Sequence, residues 1–205
     1  MKRLRFLIIF ILTAILIVFL IYLFLSYAKS LFIKKKLNLE NEIARLKSEY
    51  TFFKYQIDSI NDGKVAFTFF FLDQDGNIFT NGSLVLDGSD IFLESRVIFL
   101  NPSNSIVFPL RLYSESVSPD KGFNLTNFYA NREFLFYPEK KEMGRFFEAI
   151  FSFYVLGEGN IDRYKHFVKF YMDVVIHSGL PLQEGDVFEC VLHPGGQLEL
   201  KRSEL

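Results

Sequence analysis

FLIIFILTAILIVFLIYLFL, residues Phe6–Leu25, runs for twenty positions without a charge. At about 1.5 Å per residue, a helix of that length reaches roughly 30 Å, the thickness of a bilayer's hydrocarbon core. The stretch therefore predicts a membrane-spanning helix, entered at Phe6, centred near Ile15 and left at Leu25. A secretory signal is the competing reading. Lys2, Arg3 and Arg5 make a basic leader, and Ser26-Tyr27-Ala28 fits a small-x-small cleavage site. Signal peptides carry apolar regions of only about 7–15 residues, so a retained anchor is the expectation.

Charge sets the orientation less decisively. Lys2, Arg3 and Arg5 lie before the run, and Lys29, Lys34, Lys35 and Lys36 lie after it. The excess of Lys and Arg that marks cytoplasmic flanks is nearly balanced. The tight N-terminal group, helped by the amino terminus, favours an N-terminus in the cytoplasm. The rest of the chain would then lie outside, as a periplasmic domain of a bacterial inner-membrane protein. The reverse topology is the alternative.

Beyond the run, Leu39, Ile43, Leu46, Tyr50, Phe53, Ile57 and Ile60 alternate spacings of four and three. That is the seam of a coiled coil three heptads long. Glu40, Glu42, Arg45, Lys47, Glu49 and Lys54 fall off the seam, where solvated residues belong. Neither Gly nor Pro precedes Gly63, so anchor and stalk read as one helix. The seam predicts self-association or pairing with a partner helix; docking on the chain's own domain is the plainer alternative. The expected organisation is tail and anchor over 1–28, helical stalk over 29–62, and a folded domain over 63–205.

Asn61-Asp62-Gly63 reads as the helix stop. The domain after it predicts an α+β fold. Val65–Leu72 (VAFTFFFL) is apolar almost throughout and reads as a central strand buried on both faces. Asp73–Gly76, Asn81-Gly82 and Asp87-Gly88 read as hairpin turns of an antiparallel meander. Ile91–Leu100 and Ile106–Tyr113 continue it, and Phe134–Tyr137 is a further short candidate. Pro138 then opens a helix running to Leu156, and Asn160 caps a second one. Its stripe is Ile161, Tyr164, Val168, Tyr171 and Val175, giving a two-helix hairpin. His193-Pro194-Gly195-Gly196 joins a C-terminal β-hairpin. Nineteen phenylalanines fall after residue 60, a load best placed in a core.

Composition narrows the function. Residues 1–60 carry ten Lys/Arg and four Asp/Glu, whereas residues 61–205 carry thirteen and twenty. An acidic domain is a poor match for phosphate backbones, so nucleic acid is not an expected partner. Cys190 is the sole cysteine and rules out an intramolecular disulfide. With His193 it is spaced to point to opposite faces of a strand, unsuited to sharing a metal. His177 reads as a cation at a helix C-terminus. Asp73-Gln74-Asp75-Gly76-Asn77 opens like a calcium loop, but places glycine too early and has Leu84 where the bidentate Glu belongs. Asp87 and Asp90 could join Asp73 and Asp75 at one sheet end as a weak cation site. Glu184, Asp186 and Glu189 read as solvated carboxylates. No phosphate loop, nucleophile elbow or metalloprotease motif occurs, so neither enzyme nor cofactor is expected.

The sum is a single-pass envelope protein whose partners are the lipid bilayer, itself or another helix, and other envelope proteins. The alternative is a tethered head that binds an apolar ligand or carries out catalysis.

Overall fold

The computed structural model describes residues 2–128, 141–179 and 181–203. The chain divides into two compact units, Met1–Glu42 and Ile43–Leu205. The first is the body of α1 (Lys2–Ala44), a single uninterrupted helix. At 43 residues it is roughly 65 Å long.

The helix does not continue to Ile60. It stops at Ala44, and β1 (Tyr50–Asn61) is a strand at the centre of a sheet. The coiled-coil reading of this stretch is therefore corrected. Aromatic and β-branched residues fill Tyr50–Ile57, the composition of a strand. Phe53, Tyr55 and Ile57 are buried while Gln56 and Asp58 are exposed, the two-residue period of a half-buried strand. The heptad-like spacing has a local cause. The register of β1 shifts between Thr51 and Phe53 and again between Ile57 and Ser59. Each bulge adds one residue, so the three-residue steps Tyr50–Phe53 and Ile57–Ile60 span a bulge and the four-residue step does not. Alternating threes and fours thus arise in a twice-bulged strand as readily as in a coil.

Asp62-Gly63 is likewise a hairpin turn and not a helix cap. Both residues have positive φ, 51° and 72°, and Asn61 pairs Lys64 across them. That is the two-residue connection favoured between twisted strands. It leads into β2 (Lys64–Leu72), which pairs β1 on one side and β3 (Ile78–Asp87) on the other. β2 is internal in its sheet, but only one of its faces is fully covered. Val65, Phe67, Phe69 and Phe71 are buried, and Ala66, Thr68 and Phe70 are half-exposed.

Asn81-Gly82 makes no turn, because β3 runs straight through it. A Cβ on Gly82 would sit 2.6 Å from the Phe69 ring and 2.9 Å from the Phe128 ring. The glycine is there to let backbone meet aromatic faces.

Five strands form the first sheet, in the order β3-β2-β1-β8-β9, with β8 (Val187–Leu192) and β9 (Leu198–Ser203) paired antiparallel. Four form a second, in the order β6-β5-β4-β7. These are β4 (Phe92–Phe99), β5 (Ser105–Tyr113), the short β6 (Phe123–Asn124) and β7 (Phe170–His177). The expected single sheet is thus two. They meet through aromatic contacts: Phe69 lies 6.3 Å from Phe123 and 5.2 Å from Phe128. The β8–β9 turn closes on β4, with Gly196 against Phe99 and Val97.

The opposite side of the second sheet is covered by α2 (Lys141–Tyr154), whose Met143, Phe146, Phe147, Ile150 and Phe151 form one buried stripe. Phe108 of β5 packs on Phe151 at 5.5 Å, and β5 is buried along nearly its whole length. The Arg96 guanidinium bonds Asp173 twice, at 2.6 and 2.7 Å, and donates to the Tyr154 carbonyl at the end of α2.

A second helix after Gly157 does not form. Ile161, Tyr164 and Phe167 make a turn and a short 3-10 segment against α2, and Phe146 lies 5.5 Å from Tyr164 and 5.8 Å from Phe167. The following Phe-Tyr-Met-Asp-Val-Val-Ile run pairs with the free edge of β4 as β7. Here β propensity and an open sheet edge override an apolar spacing that also fits a helix. Pro138 and Phe134–Tyr137 lie outside the described residues.

The chain passes between the sheets at Gly88–Ile91. Glu115 accepts there from the Ser89 amide (2.6 Å), the Ser89 hydroxyl (2.7 Å) and the Asp90 amide (3.0 Å). Partial desolvation would raise its pKa, but the Ser89 hydroxyl and these amides outweigh that and hold it at about 2.

Two outcomes test this architecture. Gly82→Val should destabilise the protein by about 2 kcal/mol in thermal unfolding, because the Phe69 and Phe128 rings must be displaced. Glu115→Gln should cost about 1 kcal/mol at neutral pH after discounting for solvent screening. A depressed carboxylate stabilises the fold above its ordinary pKa and loses that contribution as pH falls toward the folded value. The wild-type advantage should therefore shrink between about pH 5 and pH 2 in urea titrations. A constant difference across that window would contradict the assignment.

Candidate functional site

Three hairpin loops of the head converge on the segment by which the chain leaves the helix, residues 43–49. The first is the β2–β3 turn. Asp73 shapes it by accepting from the amides of Asp75 and Asn77, both at 2.8 Å, with Gly76 at φ +85°. This carboxylate closes its own turn, which is the local reason for the calcium-like pattern. Gln74 and Asp75 are thereby presented to Lys47. The Lys47 amide donates to Gln74 Oε1 at 3.2 Å, and its ammonium to Gln74 O at 2.9 Å and Asp75 Oδ1 at 2.8 Å.

The second is the β4–β5 loop. Asn101 Oδ1 accepts from the amides of Ser103 and Asn104 at 2.9 and 2.7 Å, an Asx turn that fixes Asn104. The buried Asn104 amide group then donates to the carbonyls of Ile43 at 2.6 Å and Leu46 at 3.2 Å. Carbonyls at a helix C-terminus lack intrahelical donors, so Asn104 caps the end of α1 from 58 to 61 residues away in sequence. Leu46 N also bonds Ile43 O at 3.2 Å, tightening the final turn.

The third is the β8–β9 turn. His193 Nδ1 lies 3.3 Å from Glu49, and its Nε2 lies 2.6 Å from Glu199. His193 thus bridges Glu49 and Glu199. The hydrogen bond from His193 is the main reason the Glu199 carboxyl sits below its ordinary range.

The expected membrane-spanning positions Phe6, Ile15 and Leu25 all lie in α1. Ile15 and Leu25 are 60% and 61% exposed, and Ile15–Ala44 is long and apolar enough to cross a membrane. The expected seam is split. Leu39 lies near the end of α1; Ile43 and Leu46 are buried beside Asn104. Tyr50, Phe53 and Ile57 are buried on β1 and Ile60 is half-buried there, so they serve the head's own core.

The remaining candidates are engaged in structure. Cys190 is fully buried, and burial followed by the nearby Glu189 pushes its thiol pKa up, which removes thiolate character at neutral pH. His177 sits on β7, with Nδ1 2.9 Å from Asp90, and Ser178 donates to the same carboxylate at 2.7 Å. Asp87 pairs Lys64 at 3.4 Å, a full strand away from Asp73 and Asp75, so the four carboxylates do not gather. Glu184 accepts from the Ile60 amide at 3.0 Å, Asp186 from the Gln183 amide at 2.8 Å and from Arg202, and Glu189 pairs Lys54 at 3.3 Å. Among the described residues, no group of three or more His, Cys, Asp or Glu is placed to hold a metal. The cavity lined by Tyr50, Gln74, Ile106 and Phe147 has about 10 Å³, room for a single water at most.

The convergence was not readable in the sequence. Lys47, Gln74, Asn104 and His193 are ordinary loop residues whose partners lie between 6 and 144 positions away. No protein-family model matches this chain, and no curated protein or solved structure is significantly similar to it.

Asn104→Ala should lower stability by about 1–3 kcal/mol, because it strips donors from two carbonyls at a buried position. Asn104→Asp should cost at least as much at neutral pH, since a carboxylate then faces those carbonyls. Thermal unfolding of the intact protein in detergent measures both; an Asp variant as stable as wild type would refute the cap.

Proposed function

We propose that this is a single-pass membrane protein of the bacterial envelope, with an extracytoplasmic α+β head that acts as an interaction scaffold for other envelope components. The observation that carries the reading is α1, an uninterrupted helix whose apolar side chains from Ile15 to Leu25 are exposed rather than packed in a core. Such a surface is stable in lipid and costly in water.

The head supports an interaction role through β7. It is the outermost strand of its sheet, and Phe170, Tyr171, Met172 and Val175 are 55%, 50%, 45% and 47% exposed. Soluble surfaces usually blunt such edges with charge, proline or a bulge. Aromatic and methionine side chains on a rim are the chemistry of protein contact. A coiled-coil route to assembly does not fit, because Tyr50, Phe53, Ile57 and Ile60 lie on β1, and the scaffold role rests on the head.

Alkaline carbonate extraction of membranes containing the full chain is expected to leave it in the pellet, with residues 1–28 still present by mass spectrometry. A soluble product beginning at Lys29 would overturn the anchor. Tyr171→Lys with Val175→Lys should then reduce what co-purifies with the intact protein in mild detergent. Unchanged co-purification would count against β7 as the scaffold surface.

A further inference from the structure

α1 carries no charged residue from Phe6 to Ala28, then four lysines within eight residues: Lys29, Lys34, Lys35 and Lys36. All four are exposed and lie on unbroken helix. At about 100° per residue they fall near 0°, 140°, 240° and 340° around the axis. They ring the helix instead of lining one side. A partner protein or a nucleic acid reads a helix from one face, whereas a ring of cations suits a medium that surrounds it.

Axial position points to the same medium. The uncharged stretch reaches roughly 35 Å, slightly more than the hydrocarbon core, so Lys29 enters the headgroup layer. Lys34–Lys36 follow about 8–10 Å further along, within about one Debye length of the lipid phosphates. Between them Leu31, Phe32 and Ile33 are exposed, and Tyr27 precedes them, an apolar and aromatic interleaving suited to the interface. Glu40 is the first acid after the lysines and lies 3.8 Å from Lys36, a loose, exposed pair.

We infer that Lys29, Lys34, Lys35 and Lys36 form a collar that binds anionic phospholipid headgroups where α1 leaves the bilayer. The inference rests on α1 being a span. It names the lipid that the anchor selects.

The full-length protein, reconstituted in vesicles of phosphatidylcholine and phosphatidylglycerol at about three to one and re-extracted in mild detergent, reports this through the lipids it retains, read by mass spectrometry. Wild type should retain phosphatidylglycerol at least about fivefold over the bulk ratio, as several lysines at a charged surface require. Raising salt from about 0.05 to 0.5 M should erase most of that preference. Replacing all four lysines with Gln should return retention to the bulk ratio, and replacing them with Arg should preserve the enrichment. A wild type at the bulk ratio, or a Gln variant as enriched as wild type, overturns the collar. Replacing only Lys34, Lys35 and Lys36 with Gln, sparing Lys29, guards against failed insertion and should still lose most of the enrichment. Carbonate extraction of the same vesicles separates the two readings. If neither protein resists extraction the span itself fails and the collar with it; if both resist it without lipid preference, only the collar fails.

Discussion

The seating of β1 in the middle of the five-stranded sheet is the constraint on which the head depends. β1 pairs β2 along one edge and β8 along the other, and its Phe53, Tyr55 and Ile57 are almost wholly buried. Around them stand Phe69 at 5.8 Å, Phe71 at 5.2 Å and Phe188 at 5.0 Å. Without β1, both β2 and β8 would be edge strands with unpaired backbone groups, and the aromatic layer between the sheets would lose one wall. The same strand is the first element after α1. The chain that crosses from helix to head is thus committed at once to the head's deepest layer.

That commitment explains the convergence of three loops on residues 43–49. A helix end leaves carbonyls needing donors, and a chain that changes from helix to strand within five residues needs its backbone polar groups satisfied there. Asn104 and Gln74 satisfy backbone groups there from two hairpins, and His193 of a third reaches the Glu49 side chain. Each loop first fixes itself, through Asx turns at Asp73 and Asn101 and a glycine pair at Gly195-Gly196, and only then reaches the junction. Precision at the junction is inherited from local turn chemistry.

A protein of this form divides its physical chemistry by unit. α1 buries nothing of itself between Ile15 and Leu25, and it is long and apolar enough to cross a membrane. The head buries many of its phenylalanines, Phe53, Phe67, Phe69, Phe108, Phe146 and Phe188 among them, and has no intramolecular disulfide to draw on. β7 has no buried residue and is paired along one edge to β4, with the Arg96–Asp173 pair across that edge. An assembly role would expose that edge to a partner at little cost to the core.

What the sequence by itself determined were the features set by local chemistry. Twenty uncharged residues predict a helix of span length, because a helix satisfies its own backbone polar groups without a partner. Phe92–Phe99, Ser105–Tyr113 and the strands around His193-Pro194-Gly195-Gly196 were legible because flanking turn residues bound them. What only the tertiary structure decided was which of two permitted periods wins. Tyr50–Ile60 fits a heptad and also a twice-bulged strand, and the pairing edges of β2 and β8 select the strand. Asp62-Gly63 can cap a helix or turn a hairpin, and the element before it chooses. Phe170–His177 is a strand because β4 offers an open edge, and Asn81-Gly82 stays extended because two rings lie over the glycine. Local sequence sets the energies of these alternatives close together; only contacts with residues distant in the chain separate them.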